Sequence, residues 1–309
     1  MIQEPYLSLQ LRTFSQDQPT SWQPVIDLAI AADRAGIGKV VVSDHVAFGT
    51  FLDAYADPSI GGVSGGKQPT GPDGHWLEPL TFLSVVAGAT KNIRLGTNIL
   101  LAALRRPTVL AKSLTTLDVL SNGRVDLGVG VGWQKEEYDA CGLDFANRGR
   151  LLDHTLEVCQ TLWTQTSAQY NTNELQFSDI HSMPKPIQKG GVPIWVSGTV
   201  NKLSMKRLAT FGSGWIPWGP DANDIKSGTQ KMRVAISDYG RDPDGIKIIG
   251  TLPIIRNEDG IDLEMTMRNV PELVAAGITD FRAYLPVPDG LEAATEYLSE
   301  VVQIFNHHL

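Results

Sequence analysis

Ser43-Asp44-His45 closes an apolar, β-branched run, and a carboxylate beside an imidazole is a pairing that can move protons. Imidazole titrates near neutral pH, so His45 is a candidate proton donor or acceptor. Asp44 would either orient that ring or accept a hydrogen bond from a ligand ring. As plain structure, Asp44 would cap a turn and His45 would be an ordinary loop residue. A second candidate is Ser197-Gly198-Thr199, small residues just ahead of a helical pattern bearing Lys202, Lys206 and Arg207. Free backbone N–H groups at a helix start suit a phosphate, and a simple helix cap is the alternative. The third is Gly128-x-Gly130-x-Gly132, which differs from the dinucleotide pattern G-x-G-x-x-G and lies inside a strand-like run. Glycines within a strand mark the close approach of something flat, or tight packing of the scaffold itself. Glu136, Glu137 and Tyr138 follow and open a helix, where acidic side chains complement the dipole without further duty.

Other patterns lead nowhere. Gly61–Lys67 (GGVSGGK) has the glycine and lysine spacing of a phosphate loop, but Gln68 stands where Ser or Thr should bind magnesium. Pro69 and Pro72 follow where a helix should begin, so a lid tip is the better account. His75, His154 and His181 are scattered and His307-His308 lie in the tail, with no ligand spacing for a metal. Cys141 and Cys159 are unpaired by spacing and read as small hydrophobes.

The elements that must hold these residues alternate along the whole chain. Strand-like runs fall at Tyr6–Leu11, Lys39–Ser43, Ile93–Leu100, Val125–Val131, Pro193–Ser197, Gly214–Trp218, Ile246–Ile254 and Phe281–Val287. Helical patterns fall between and after them at Pro24–Ala35, Glu78–Thr90, Pro107–Leu120, Arg148–Trp163, Val200–Phe211, Asp221–Tyr239, Asp262–Ala276 and Gly290–Phe305. Pro24, Pro79 and Pro107 sit at helix starts, and Gly36, Gly123 and Gly277 just past helix ends. Several strands are continuous apolar runs, the mark of parallel strands buried on both faces. Eight strand–helix units with right-handed crossovers close into a (β/α)8 TIM barrel. A doubly wound open sheet would want a glycine turn after the first strand, and Leu11-Arg12-Thr13-Phe14 offers none. The expectation is a single domain over 1–309 with insertions at 47–77 and 164–191. The first follows a strand and so lies on the catalytic face as a lid. The second contains a short hairpin and a Pro-bounded loop.

The net charge of −8 argues against a general nucleic-acid partner, which wants a basic face. No apolar run reaches the roughly 18 residues of a membrane span. The start MIQEPYLSLQLRTF lacks the basic and apolar regions of a signal peptide, and two cysteines in 309 residues fit a reducing compartment. A cytoplasmic protein is expected.

Four segments together resemble the luciferase-like monooxygenase superfamily, especially its coenzyme F420-dependent oxidoreductases. They are SDHVAF (43–48), IRLGTNILLAALRRPTVLAKSLTTLDVLSNGR (93–124), VDLGVGVGWQKEEYDACGLDFANRG (125–149) and PIWVSGTVNKLSMKRLATFGSGWIP (193–217). The resemblance implies a barrel with a flavin or deazaflavin at the C-terminal strand ends. It implies a non-prolyl cis peptide supporting the central ring, which here falls at Asn98-Ile99 beside Thr97. Asp44 matches a residue touching the cofactor ring, and His45 one that handles a proton. Gly130, Gly132, Trp133 and Glu136 match positions along the ring and ribityl chain; Ser197, Gly198 and Thr199 match the phosphate turn. Trp133 and Glu136 depart from the Glu and Asn of the sugar-phosphate dehydrogenase relatives, and the basic residues for a phosphorylated sugar are not evident.

The leading expectation is therefore hydride transfer between coenzyme F420 and a small organic substrate. The alternatives are an FMN-dependent monooxygenase fed by a partner reductase, and a catalytically silent flavin-binding protein. Phe48, Phe51, Tyr55, Trp76, Trp133 and Trp218 near the expected mouth suit an apolar or flat molecule. A homodimer is expected from relatives.

Overall fold

Val40, Val41 and Val42 have no polar face to present to water, and the strand they form is buried on both sides. The same holds for Val125–Val129, all five residues of which are buried. In the computed structural model, which describes residues 5–60, 66–258 and 260–309, such runs become the staves of a closed barrel. The staves are β1 (Tyr6–Gln10), β2 (Lys39–Val42), β3 (Arg94–Thr97), β4 (Val125–Val129), β5 (Ile194–Gly198), β6 (Gly212–Pro217), β7 (Lys247–Thr251) and β8 (Asp280–Arg282). They are parallel and follow chain order, with β8 closing on β1 through Tyr6↔Asp280 and Ser8↔Arg282. The outer ring is α1 (Gln23–Ala35), α2 (Pro79–Ala89), α3 (Pro107–Leu120), α4 (Arg148–Thr164), α5 (Lys202–Phe211), α6 (Ile225–Ser237), α7 (Val270–Ala275) and α8 (Leu291–His307). The fold is a (β/α)8 TIM barrel.

Differences from the expected elements have local causes. The Asp221–Tyr239 pattern is two helices, because Asp224 breaks it and its side chain caps the second through Ser227 N–H. The Asp262–Ala276 pattern also splits, since Pro271 cannot donate to a preceding turn and instead starts α7. The third strand stops at Thr97 rather than Leu100, and the peptide that follows, Asn98–Ile99, is cis.

The main core lies between staves and helices, built from residues such as Leu95, Leu114, Leu127 and Phe281. Inside the barrel the filling is different. Lys39, 2% exposed, sits 3.0 Å from Asp126 and 2.9 Å from Asp280, with its ammonium 3.7 Å from the centre of the Trp195 ring. Arg94 reaches Asp126 at 2.6 Å. Burial alone would raise the Asp126 carboxyl, but Lys39 and Arg94 hold it well below the usual carboxylate range. Above this ionic layer lie Trp195, Ile216 and Ile249, with Ile99 against them.

The two insertions are built from small pieces. Within 47–77, two short 3-10 turns precede His75–Trp76, which pairs antiparallel with Phe14–Ser15 after β1. Gly61–Gly65 of the glycine-rich run lie outside the described residues. Within 164–191, Ala168–Asn171 and Gln176–Ile180 form the expected hairpin. Among the described residues, no helix is long and apolar enough to cross a membrane.

Candidate active site

The C-terminal ends of all eight staves face one way, as parallel winding requires, and a cleft of about 1100 Å³ opens there. Loops after β2, β3, β4, β5 and β8 supply much of its wall.

His45 follows β2 and lines the cleft. Its Nδ1 lies 3.2 Å from Glu137 Oε2, and its Nε2 lies 3.1 Å from the side-chain nitrogen of Gln68 on the lid. The Glu137 side chain is 1% exposed, and its Oε1 accepts the Val46 N–H at 2.5 Å. A carboxylate only accepts, so this network assigns the proton to Nδ1 and leaves Nε2 accepting from Gln68. Phe48 and Trp76 close around the imidazole, with ring centres 4.3 and 4.9 Å away. Trp76 stacks on Phe14, and Trp133 meets Tyr55 edge-on. Burial, with Tyr284 nearby, raises the Tyr55 hydroxyl above its ordinary range, so Tyr55 stays a donor. Of the aromatics expected at the mouth, Tyr55, Trp76, Trp133 and Trp218 line the cleft, whereas Phe51 is 72% exposed.

Asp44 does something other than expected. It is buried, yet it neither orients His45 nor reaches the cleft wall. Its carboxylate takes both Arg105 terminal nitrogens at 2.6 and 3.0 Å and the Leu101 N–H at 2.8 Å. Both residues lie past the last residue of β2, where the path of the loop sets the direction of each, and it turns His45 to the cleft and Asp44 to Arg105. Asp44 instead ties the end of β2 to the loop carrying Ile99 and Leu101. Thr97 is likewise off the wall: its hydroxyl donates to the Gly128 carbonyl at 2.7 Å. Glu136 packs over Gly49, whose missing Cβ leaves it room, and stays outside the cleft.

Asn98, Ile99, Gly130, Gly132 and Trp133 do line the cleft, as do Ser197, Gly198 and Thr199. The glycine run owes its composition to the chain's own packing. A Cβ on Gly128 would fall 2.0 Å from the Thr97 carbonyl oxygen, and Gly132 has φ +71°. The helix start after Ser197-Gly198-Thr199 is also already satisfied. Asn201 and Ser204 form a reciprocal capping box, and Val200 N–H donates to Asp221. Of the arginines on the same wall, Arg150 pairs with Glu174 and Arg207 with Asp153, so an anion there would lean first on Arg148.

The residues present fit a flat ring bearing a phosphate. The wall after β3 and β4 is backbone and small side chains. The indole N–H of Trp133 and Arg148 Nε are both buried without a protein partner, donors awaiting a ligand. Among the described residues, no His, Cys, Asp or Glu cluster could hold a metal.

Glu137, Gln68 and Arg148 were not foreseen. Glu137 looked like a first-turn acid, but it neighbours Tyr138 and stands four residues before Cys141, so the short helix Lys135–Ala140 turns it inward. Gln68 had no local signal, because a long lid carries no period from which to read contacts.

The model of the luciferase-like monooxygenases matches residues 7–271. The chain belongs to that family. Its luciferase-like barrel resembles an F420-dependent secondary alcohol dehydrogenase holding an F420–acetone adduct, at TM-score 0.72 and 16% identity over 98% of this chain and 99% of that one. It resembles equally the FMN-bound oxygenating constituent of 3,6-diketocamphane monooxygenase from Pseudomonas putida, at TM-score 0.72 and 13% identity over 98% of both. In sequence, an uncharacterized protein of Mycobacterium tuberculosis is 34% identical over 166 residues, 54% of this chain and 58% of that relative. The chain thus spans under two thirds of the length of that relative. An F420-dependent protein and an FMN-bound one thus share this fold, so the likeness by itself leaves the cofactor open.

Proposed function

We propose that this luciferase-like protein is a coenzyme F420-dependent oxidoreductase acting on a small organic substrate. The observation that carries the reading is His45 on the cleft wall with Nδ1 held by the buried carboxylate of Glu137. Bound F420 supplies a carbon that gives or takes a hydride, and nothing more is asked of it. Reduction of a carbonyl needs a proton at oxygen as well as the hydride at carbon, and the reverse reaction must remove both. His45 is the group able to hold that proton at Nε2, once Gln68 yields the position. Glu137 would stabilise the imidazolium while the proton is held and keep the ring from turning. Ile99, Gly130, Val131 and Gly132 would orient the ring system along β3 and β4. Trp76, Phe48 and the lid would exclude water from the transfer.

The arginines favour F420 over FMN. Its side chain continues beyond the phosphate as a chain of carboxylates, which would meet Arg148 and compete with Glu174 for Arg150 past Ser197–Thr199. FMN needs only the first of these contacts, and an FMN-dependent monooxygenase is the competing reading.

Titration of the purified protein with F420 and with FMN tests the choice. F420 is expected to bind at least about tenfold more tightly. Tight FMN binding without measurable F420 affinity would refute the proposal. Binding of either cofactor without turnover across alcohols, ketones and enoates would favour a silent binding protein.

A further inference from the structure

Among the described residues, the interior of the barrel holds one cation more than its carboxylates pair directly. Three cations, Lys39, Arg94 and Arg282, face two carboxylates, Asp126 and Asp280. Lys39 bridges both carboxylates, and Arg94 takes Asp126 in a fork. Arg282, at the C-terminal end of β8 and 2% exposed, has neither. Its Nε donates to Ser8 Oγ at 2.9 Å, and the Ser8 hydroxyl in turn donates to Asp280. Its Nη2 is buried with no hydrogen-bond partner. A guanidinium has five donors in a rigid fork and cannot shed its charge. Burying it unpaired is unfavourable unless something else completes it.

Arg282 also lines the cleft, on its floor with Ile99, Ile216 and Ile249. An unpaired fork in the same cleft as the apolar Ile216 and Ile249 matches a molecule with an apolar body and a planar oxyanion. β8 lies four staves round the closed barrel from β4. Arg282 therefore faces the strip formed by Ile99, Gly130 and Gly132 from the far side, where a substrate would stand rather than the cofactor chain.

We propose that Arg282 anchors a carboxylate of the substrate, which makes the substrate class small organic acids with an apolar body. The direction of the substrate side rests on the cofactor strip proposed above; the anion site itself does not. The carboxylate would take the Arg282 fork as a bidentate pair and seat its carbon skeleton on Ile216 and Ile249. That leaves the reacting carbon above the floor, on the side reached by His45.

Calorimetric titration of the cofactor-free protein with cyclohexanecarboxylate and with cyclohexanemethanol reads the site directly. The acid is expected to bind at least about tenfold more tightly than the neutral alcohol. Arg282→Met should bring the two within about twofold, and Arg282→Lys should keep part of the preference, since it retains charge but not the fork. Absence of a preference in the unaltered protein overturns the proposal without any variant, so a misfolded substitution cannot shelter it. Retained preference in a folded Arg282→Met protein overturns it as well. The other source of a planar oxygen is the cofactor's own ring carbonyl. If Arg282→Met weakens F420 or FMN binding by more than about tenfold while the preference for the acid persists, Arg282 serves the cofactor and the proposal fails. If neither cofactor binds yet the acid preference holds and is lost in Arg282→Met, the cofactor reading fails and the Arg282 site stands.

Discussion

Glu137→Gln changes one charge and almost no volume, and the structure says what should follow. Glu137 Oε1 is committed to the Val46 N–H at 2.5 Å, so the new amide keeps its oxygen there. Its NH2 then faces His45 Nδ1, where Oε2 stood at 3.2 Å. Two donors cannot share that space, so the imidazole proton must move to Nε2 and the Gln68 amide must turn to accept it. The energetic cost falls on the protonated state of the ring. A unit negative charge 3.2 Å from the imidazolium is worth on the order of 5 kcal/mol at an effective dielectric of about 20. Amide dipoles and local relaxation recover part of this, leaving about 2–3 kcal/mol, or roughly 30- to 150-fold in the rate of a step that protonates His45. Nitrogen NMR of histidine-labelled protein reads the tautomer without any substrate, and single-turnover reduction of F420 by an alcohol, the direction in which His45 takes the proton, reads the rate. Unchanged Nδ1 protonation together with a rate within about threefold of the unaltered protein would refute the reasoning.

Two further outcomes concern the charged interior. Among the described residues, Lys39→Met strips Asp280 of its only direct cation and leaves Asp126 with Arg94 alone. Removing one partner of a buried ion pair costs about 3–5 kcal/mol, which urea unfolding should show as a lower midpoint with little change in slope. Acid should act through the same layer. The Asp126 carboxyl is held well below its unfolded value, so its contribution is complete above about pH 4 and is lost as pH falls through the lower folded value. Thermal midpoints measured downward from pH 5 should therefore decline, and a flat profile would count against a stabilising role for the Lys39–Asp126–Arg94 cluster.

Much of the scaffold was legible because its signals are local. Continuous β-branched runs can only be satisfied by burial on both faces, and proline and glycine mark helix ends whatever the tertiary context. Pro107–Leu120 matches its helix to the residue. Where the reading overran, a specific side chain intervened: Asp224 by capping, Pro271 by lacking an N–H. The wall of the cleft was legible in part for the same reason. Residues just past parallel strands must meet at one mouth, and His45, Trp133 and Ser197–Thr199 do so.

Partnerships were not legible. Asp44 stands beside His45 in sequence but turns to Arg105, 61 positions away, while the imidazole takes Glu137, 92 positions away. Both lie in the loop after β2, where no strand or helix period fixes side-chain direction, so adjacency in sequence did not predict their partners. Arg282 gave no signal at all, since an arginine in an apolar run announces neither its burial nor its missing counter-ion. The sequence by itself determined the barrel, its order and which loops reach the mouth, because hydrophobic period and turn chemistry act over a few residues. Only the tertiary structure decided which carboxylate holds the histidine, which cation is left unpaired and which glycines serve the chain's own packing. Those depend on staves far apart in the chain being brought within hydrogen-bond reach, and closure of the barrel is what does that.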